Sequence, residues 1–305
     1  MLHLRIGTRG SALALRQAGI VRDALLAAAP DVRVNLEVIR TEGDAQRDAL
    51  LDRLGRKGVF TAQIEAALLD GKVDLAVHSL KDLPTGETNG LVLAALPPRE
   101  DPADALVART GGGLADLPRG ARVLTGSPRR RAQLLHLRPD LLVENVRGNV
   151  ETRLSKLERS GADGVVLACA ALRRLDLAGR ISERFDPRKF LPAPGQGAIA
   201  VQARSDAAAA LELCRMIDHA PTRLAVTAER AFLEALGGGC RAPAGCFGEY
   251  QPGAGFLDLA AMVSDADGGR MVRRSVQGHV SDPDEARRLG LQLARDVMDE
   301  GGGRY

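Results

Sequence analysis

A chain of 305 residues is more than one small core accommodates, and it points to two or three domains. With 45% hydrophobic and 27% charged residues and no apolar run of bilayer length, it reads as a globular protein without a spanning helix. A net charge of only +3, with 3% aromatic residues and no Trp, argues against a nucleic-acid partner and a base-stacking surface. The opening "MLHLRIGTRG" has no apolar segment or small-residue cleavage site, so nothing in it suggests export. Cys169, Cys214, Cys240 and Cys246 show neither CxxC spacing nor a nearby histidine cluster. No disulfide framework and no metal site is expected, and a reducing cytoplasm is the natural compartment. Of 42 basic residues only five are lysines, so the abundance of arginine says little and its placement decides.

In chain order, Leu4 to Ile6 alternate as a short strand, followed by "GTRGS" and a helix from about Ala12 with Ile20, Val21, Ala24, Leu25 and Ala28 on one face. Val34, Leu36 and Val38 alternate as a second strand. "FTAQIEAALLDG" predicts a helix stopped at Gly71, and "VDLAVH" a third strand. Strand and helix alternate, which predicts an α/β domain with a largely parallel sheet. After "PPREDPADA" the pattern resumes. Val123 and Leu124 lead into "TGSPRRR" and a helix reaching His136, then "LLVENV" is a strand and Val150 to Arg159 a helix. "GVVLACAAL" reads as a fully buried strand holding Cys169. Prolines and glycines in "LPAPGQG" mark a second crossing, matching the one near Pro97 to Pro102. Two crossings imply two lobes joined by two stretches of chain, the layout of a hinged, cleft-forming binding protein. From about Ala220 a helix, a glycine turn, the strands "FLDLAAMV" and "MVRRSVQGHV", and a last helix predict a small α+β domain. The domains are thus 1–97 with 198–216, 103–191, and 220–305.

Open parallel sheets bind ligands at the carboxyl ends of their strands. Three such junctions place arginine beside a helix start: Arg9 with Ser11, Arg129 and Arg130 behind Ser127, and Arg147 before Asn149. Ser11, Ser127 and Asn149 suit N-caps, and Pro128 suits the first helical position. Helix N-termini with arginine forks suit carboxylates or phosphates, although each junction alone could be a solvated loop charge. "HSLKDLP" sets Lys81 and Asp82 at the same edge. Asp82 is either an ordinary turn residue before Pro84 or a carboxylate that stabilises positive charge and moves a proton. "LGRKGVFTAQ" is a basic loop that closes over a cleft or simply connects elements. "EALGGGCRAPAG" presents Cys240 on a glycine turn, open to chemistry, or else a small buried residue. A non-catalytic anion-binding module leaves Asp82 and Cys240 without a task. A cysteine hydrolase requires a base beside Cys240 that none of the five histidines is placed to provide.

The stretches "IGTRGSALAL", "GRKGVFTAQIE", "DLAVHSLKDLP", "TGSPRRRAQL", "VRGNVETRLSKL", "LPAPGQGAIAVQAR", "VTAERAFL" and "GGGCRAP" together resemble the porphobilinogen deaminases, or hydroxymethylbilane synthases, over nearly the whole chain. The resemblance implies two hinged domains like periplasmic binding proteins plus a small α+β domain. It implies a monomeric cytoplasmic transferase of haem and tetrapyrrole biosynthesis. Such an enzyme joins four porphobilinogen molecules head to tail, releasing ammonia each time, on a dipyrromethane cofactor held by a thioether. By this resemblance Cys240 anchors the cofactor and Asp82 is catalytic. Lys81, Ser127, Arg129, Arg130 and Arg147, with Asp82, contact the cofactor, and Arg9, Ser11, Arg153 and Arg174 bind substrate. Arg53, Lys57 and Phe60 belong to the active-site loop. Two departures stand out: Leu124 where the family usually has glycine, and Arg53 where lysine is usual.

Overall fold

The computed structural model describes residues 2–39, 61–237 and 243–302. It divides into two compact units, Met1–Arg99 with Ala198–Arg223, and Glu100–Gly197 with Leu224–Tyr305.

In the first unit, β1 (His3–Thr8), β2 (Arg33–Val38), β3 (Leu75–Ser79), β4 (Leu91–Ala95) and β10 (Ile199–Arg204) form one sheet in the order β2-β1-β3-β10-β4. β1 pairs in parallel with β2 and β3, while β10 runs antiparallel to both its neighbours. Four strands therefore share one direction, as the sequence pattern predicts. The fifth lies in "AIAVQAR", directly after the Pro/Gly crossing that disguises it. Helix α1 (Ala12–Ala28) buries Ala18, Val21 and Leu25 against Leu4, Ile6, Val77 and Val201. Val21, Ala24, Leu25 and Ala28 of the expected face do pack into this core, whereas Ile20 is 37% exposed and Gln17 is buried. Helix α2 (Ala62–Leu69) covers the other face through Ile64, Ala67 and Leu68, and Gly71 follows at φ +68°.

The second unit repeats this strand order. Strands β5 (Asp104–Ala108), β6 (Arg122–Leu124), β7 (Leu142–Glu144), β8 (Gly164–Ala168) and β9 (Glu183–Arg184) align as β7-β6-β8-β5-β9. Here β5, directly after the first crossing, is the antiparallel member. Helix α3 (Pro128–Leu137) packs Leu134 with Val123, Val166 and Phe190, and α4 (Val150–Ser160) packs Leu154 and Leu157 with Leu124 and Val165. Cys169 does not lie in the strand. It opens helix α5 (Cys169–Arg174): Cys169 N–H still bonds Ala103 O (2.9 Å) in register with the β5–β8 ladder, but Ala103 N–H turns to Asp101 Oδ1 (3.0 Å), so the rung is only half made and the strand gives way to helix. Helix α6 (Ala208–Ile217) belongs to the first unit.

The remainder of the second unit is a three-stranded antiparallel sheet: β11 (Ala244–Gln251), β12 (Phe256–Ser264) and β13 (Met271–His279). β11 is a strand that the sequence pattern concealed, since its buried positions run consecutively over Gly245, Cys246, Phe247 and Gly248, three of them small, and show no alternation. Helix α7 (Ala220–Ala235) places Leu224, Ala228 and Phe232 in a core shared with α8 (Pro283–Val297) and with Leu257 and Leu259 of β12. The β12–β13 turn rests on α3. Gly268 adopts φ +77°, a Cβ there would lie 2.1 Å from Ala132 O, and a ring nitrogen of His136 (Nδ1) hydrogen-bonds Gly268 O at 3.1 Å.

Candidate active site

In the first unit β1 and β3 are adjacent and parallel, with Ile6 opposite Leu75, so their carboxyl ends form one edge. β1 ends at Thr8, whose Oγ1 donates to Ala14 O (3.2 Å), and Ser11 Oγ accepts from Ala14 N–H (3.3 Å). Ser11 is thus the N-cap of α1, and half-buried Arg9 sits just before it. After β3 the chain makes a single helical turn, Leu80–Asp82. Leu80 and Leu83 are buried on either side of Lys81 and Asp82, which fixes the turn and leaves Asp82 exposed. Gln17 Nε2 donates to Ser79 Oγ (2.8 Å), which donates back to Gln17 Oε1 (3.0 Å), tying α1 to the end of β3. His78, in β3, is 6% exposed. Burial, with the nearby positive charge of Arg9, pulls its imidazole down to about 4, and the neighbouring Gln202 only partly offsets this, so the ring is neutral at pH 7.

In the second unit β6 and β7 are the adjacent parallel pair, with Leu124 opposite Glu144. Ser127 Oγ accepts from Arg130 N–H (3.4 Å) at the start of α3, and Pro128 follows at the first helical position. Asn149 Oδ1 accepts from Thr152 N–H (2.9 Å) and Oγ1 (2.7 Å) at the start of α4. The two loops touch, since a Cβ on Gly126 would lie 2.5 Å from Val146 O. Gly148 takes φ +117° against Thr152, and its carbonyl accepts from Arg153 Nε (2.8 Å). Arg147 is half-buried, and its carbonyl accepts from Lys156 Nζ (3.2 Å).

Arg129 and Arg130 are each only 5% exposed, and both grip one buried carboxylate. Arg129 Nη1 donates to Asp104 Oδ2 (2.7 Å), and Arg130 Nε and Nη2 donate to Asp104 Oδ1 (2.9 and 2.6 Å). Burial opposes ionisation of Asp104, but the two guanidiniums override it and hold its carboxyl well below the usual carboxylate range. Two positive charges against one negative leave one net positive charge. Arg129 Nε is enclosed with no hydrogen-bond partner. Arg174 is also buried and donates from Nη2 to Gly197 O (2.7 Å). Burial draws it below its ordinary value, and Glu100 partly offsets this.

The sequence therefore located the cations, while Asp104 and Gln196, which bond Arg129 and Arg130, and the buried Gln133 and His78 escaped it. Asp104 lies in "EDPADA", a stretch that reads as a crossing. Leu124, the departure from the family pattern, is buried in the core instead of lining the edge. Cys169, Cys214 and Cys246 are buried, and burial pushes the Cys169 and Cys214 thiols up to about 12. Cys240, Arg53, Lys57 and Phe60 lie outside the described residues. Among the described residues, no helix is long and apolar enough to cross a membrane.

The family model "Porphobilinogen deaminase, dipyromethane cofactor binding domain" matches residues 4–212, and "Porphobilinogen deaminase, C-terminal domain" matches residues 223–299. The chain belongs to the porphobilinogen deaminase family. Porphobilinogen deaminase from Roseiflexus sp. (strain RS-1) is 49% identical, covering 98% of this chain and 97% of that protein. The enzymes of that name from Syntrophobacter fumaroxidans and Thermus thermophilus are each 46% identical, covering 98% and 97% of this chain and 95% and 96% of their own lengths. Among solved structures, the methionine-binding protein MetQ is similar over 70% of this chain and 89% of its own, at 13% identity and a TM-score of 0.45. The dipyromethane-binding match spans both strand-end edges, from Arg9 to Arg174.

Proposed function

We propose that the chain is a hydroxymethylbilane synthase, a transferase that condenses four porphobilinogen molecules into the linear tetrapyrrole hydroxymethylbilane, releasing four ammonia molecules and taking up one water as the product leaves. The observation behind this reading is family membership over nearly the whole chain, joined to cations at the strand ends of both units. Dipyrromethane carries acetate and propionate groups. The capped N-termini of α3 and α4 and the net positive charge left on the Arg129–Arg130–Asp104 group suit such an anion. Ser127, Arg129, Arg130, Arg147 and Lys81 hold its acid groups, and Cys240 is its thioether anchor. When bound, the group supplies the fixed pyrrole end onto which the first substrate is joined.

Asp82 accepts hydrogen bonds from pyrrole N–H groups and balances the positive charge that develops as ammonia leaves the substrate. Its exposure lets one carboxylate serve four successive substrates. It also takes the proton lost from the pyrrole carbon as each carbon–carbon bond closes. Arg9 and Ser11 clamp the carboxylates of incoming substrate, while Arg153 and Arg174 hold those of the lengthening chain. Arg53, Lys57 and Phe60 form the loop over the site. The five-stranded and three-stranded sheets of the second unit each have their own core, which supports treating 103–191 and 220–305 as separate domains. The four cysteines lack the spacing of a disulfide framework, and we place the protein in the reducing cytoplasm as a monomer.

Intact mass spectrometry tests this reading. The parent protein should carry a covalent dipyrrole, Cys240→Ser none, and Cys169→Ser, Cys214→Ser and Cys246→Ser the full adduct. A serine hydroxyl is a far weaker nucleophile at neutral pH. A parent without the adduct, or an adduct on another cysteine, overturns it.

A further inference from the structure

We propose that Gln133 is a positioning residue for the cofactor, acting through the peptide Leu191–Pro192, which registers strand β11 against the arginines of α3. The proposal rests on the function argued above.

Gln133 is 3% exposed and clamps Leu191 at both backbone polar groups. Its Nε2 donates to Leu191 O (3.0 Å) and its Oε1 accepts from Leu191 N–H (2.7 Å), a pairing that only one orientation of the amide satisfies. Leu191 O accepts a second bond, from Arg129 Nη1 at 2.6 Å. One carbonyl is therefore shared by Gln133 and by an arginine already bound to Asp104. The next carbonyl, Pro192 O, accepts from Cys246 N–H (3.0 Å) in β11. Gly245 lies against the same peptide: a Cβ there would come within 2.9 Å of Leu191 O and 3.0 Å of Leu191 Cβ. The Leu191 side chain is buried with Phe247 of β11 and Met262 of β12. β11 begins just beyond Cys240 in the chain. The segment leaving the anchor is thus seated on a peptide whose orientation Gln133 fixes and whose oxygen Arg129 shares.

Removing the amide leaves the Leu191 N–H without its partner and Leu191 O held by Arg129 alone. Helix α3 keeps its grip on the sheet through Asp104 and Leu134, so the fold persists while the register of the anchor segment loosens. Cofactor acquisition, which needs the anchor and the arginines in register, slows.

The full-length chain is produced in cells starved of porphobilinogen, mixed with porphobilinogen and sampled by intact mass. Gln133→Leu should gain the two-pyrrole mass about tenfold more slowly than the parent, the scale of a lost buried hydrogen bond. Leu293→Ala, a core change in α8, should lower the melting temperature yet acquire the cofactor at the parental rate, which separates positioning from stability. Gln133→Glu keeps the acceptor but sets a carboxylate oxygen against Leu191 O. Gly245→Ala presses the junction apart with Gln133 intact. Both should be slowed, and they decide the matter if Gln133→Leu does not fold. Parental acquisition rates in the folded variants overturn the role of Gln133 alone. A parent that never gains the two-pyrrole mass overturns the functional reading itself, and this proposal with it.

Discussion

At the edge of the first unit the carboxylate, Asp82, is exposed, and the buried titratable group of the same strand and turn, His78, is neutral. At the edge of the second the carboxylate, Asp104, is fully buried and ionised between two guanidiniums. Both edges grow from the same strand order, with one antiparallel strand beside a crossing. The difference lies in what is fixed. Desolvated arginines locked on Asp104 keep their positions, which suits a group that never leaves. An exposed carboxylate on a turn held by buried leucines suits the role proposed for Asp82, meeting each new substrate in turn. The scaffold is common, and the two edges differ in burial, as the proposed division between a holding edge and a reacting edge requires.

The harshest way to break this contrast is Asp104→Asn. It leaves two buried guanidiniums without a counter-charge, and urea unfolding should show a loss of about 3–5 kcal/mol. The same dependence appears with acid. The carboxyl's folded value is depressed, so its stabilisation is complete above the unfolded value of about 4 and drains away as pH falls toward the folded one. Unchanged stability in the variant would mean that the three charges are not coupled. Asp82→Asn attacks the other edge. Turnover of porphobilinogen should drop about 10²-fold or more, while stability moves by less than about 0.5 kcal/mol and the covalent dipyrrole is kept. Near-parental turnover would reduce Asp82 to a turn residue.

The smallest effect concerns His78. Its folded value, about 4, lies below the ordinary 6.5, so the neutral ring stabilises the fold fully above 6.5, and that contribution is lost as pH falls toward 4. The parent should lose about 2 kcal/mol from this site between pH 7 and pH 5. His78→Gln should flatten that part of the stability profile, and identical slopes for both proteins would show that the ring is not held neutral.

What could be read from sequence was local. Ser11, Ser127 and Asn149 act on N–H groups three residues ahead, so their cap spacing is visible without the fold. Asp82 and the arginines were visible as residues at strand ends. Hidden were interactions between distant positions. Asp104 meets Arg129 and Arg130 some 25 residues on, and Gln133 meets Leu191 across 58. Strands β10 and β11 were masked by their own small residues, because glycine and alanine carry little of the alternation that marks a strand. Ile20 misled because hydrophobicity alone does not centre a helix face. Gln17, a polar residue, took a buried place through Ser79.

Gly268 has a consequence of another kind. Hairpin tips are ordinarily where a lineage accepts substitutions and insertions with little harm. This tip has lost that freedom. Its missing side chain is what lets the turn lie on the backbone of α3 at Ala132, and the positive φ excludes most replacements besides. Drift at position 268 is therefore confined, and a longer loop there could be inherited only alongside a matching change on the helix beneath it.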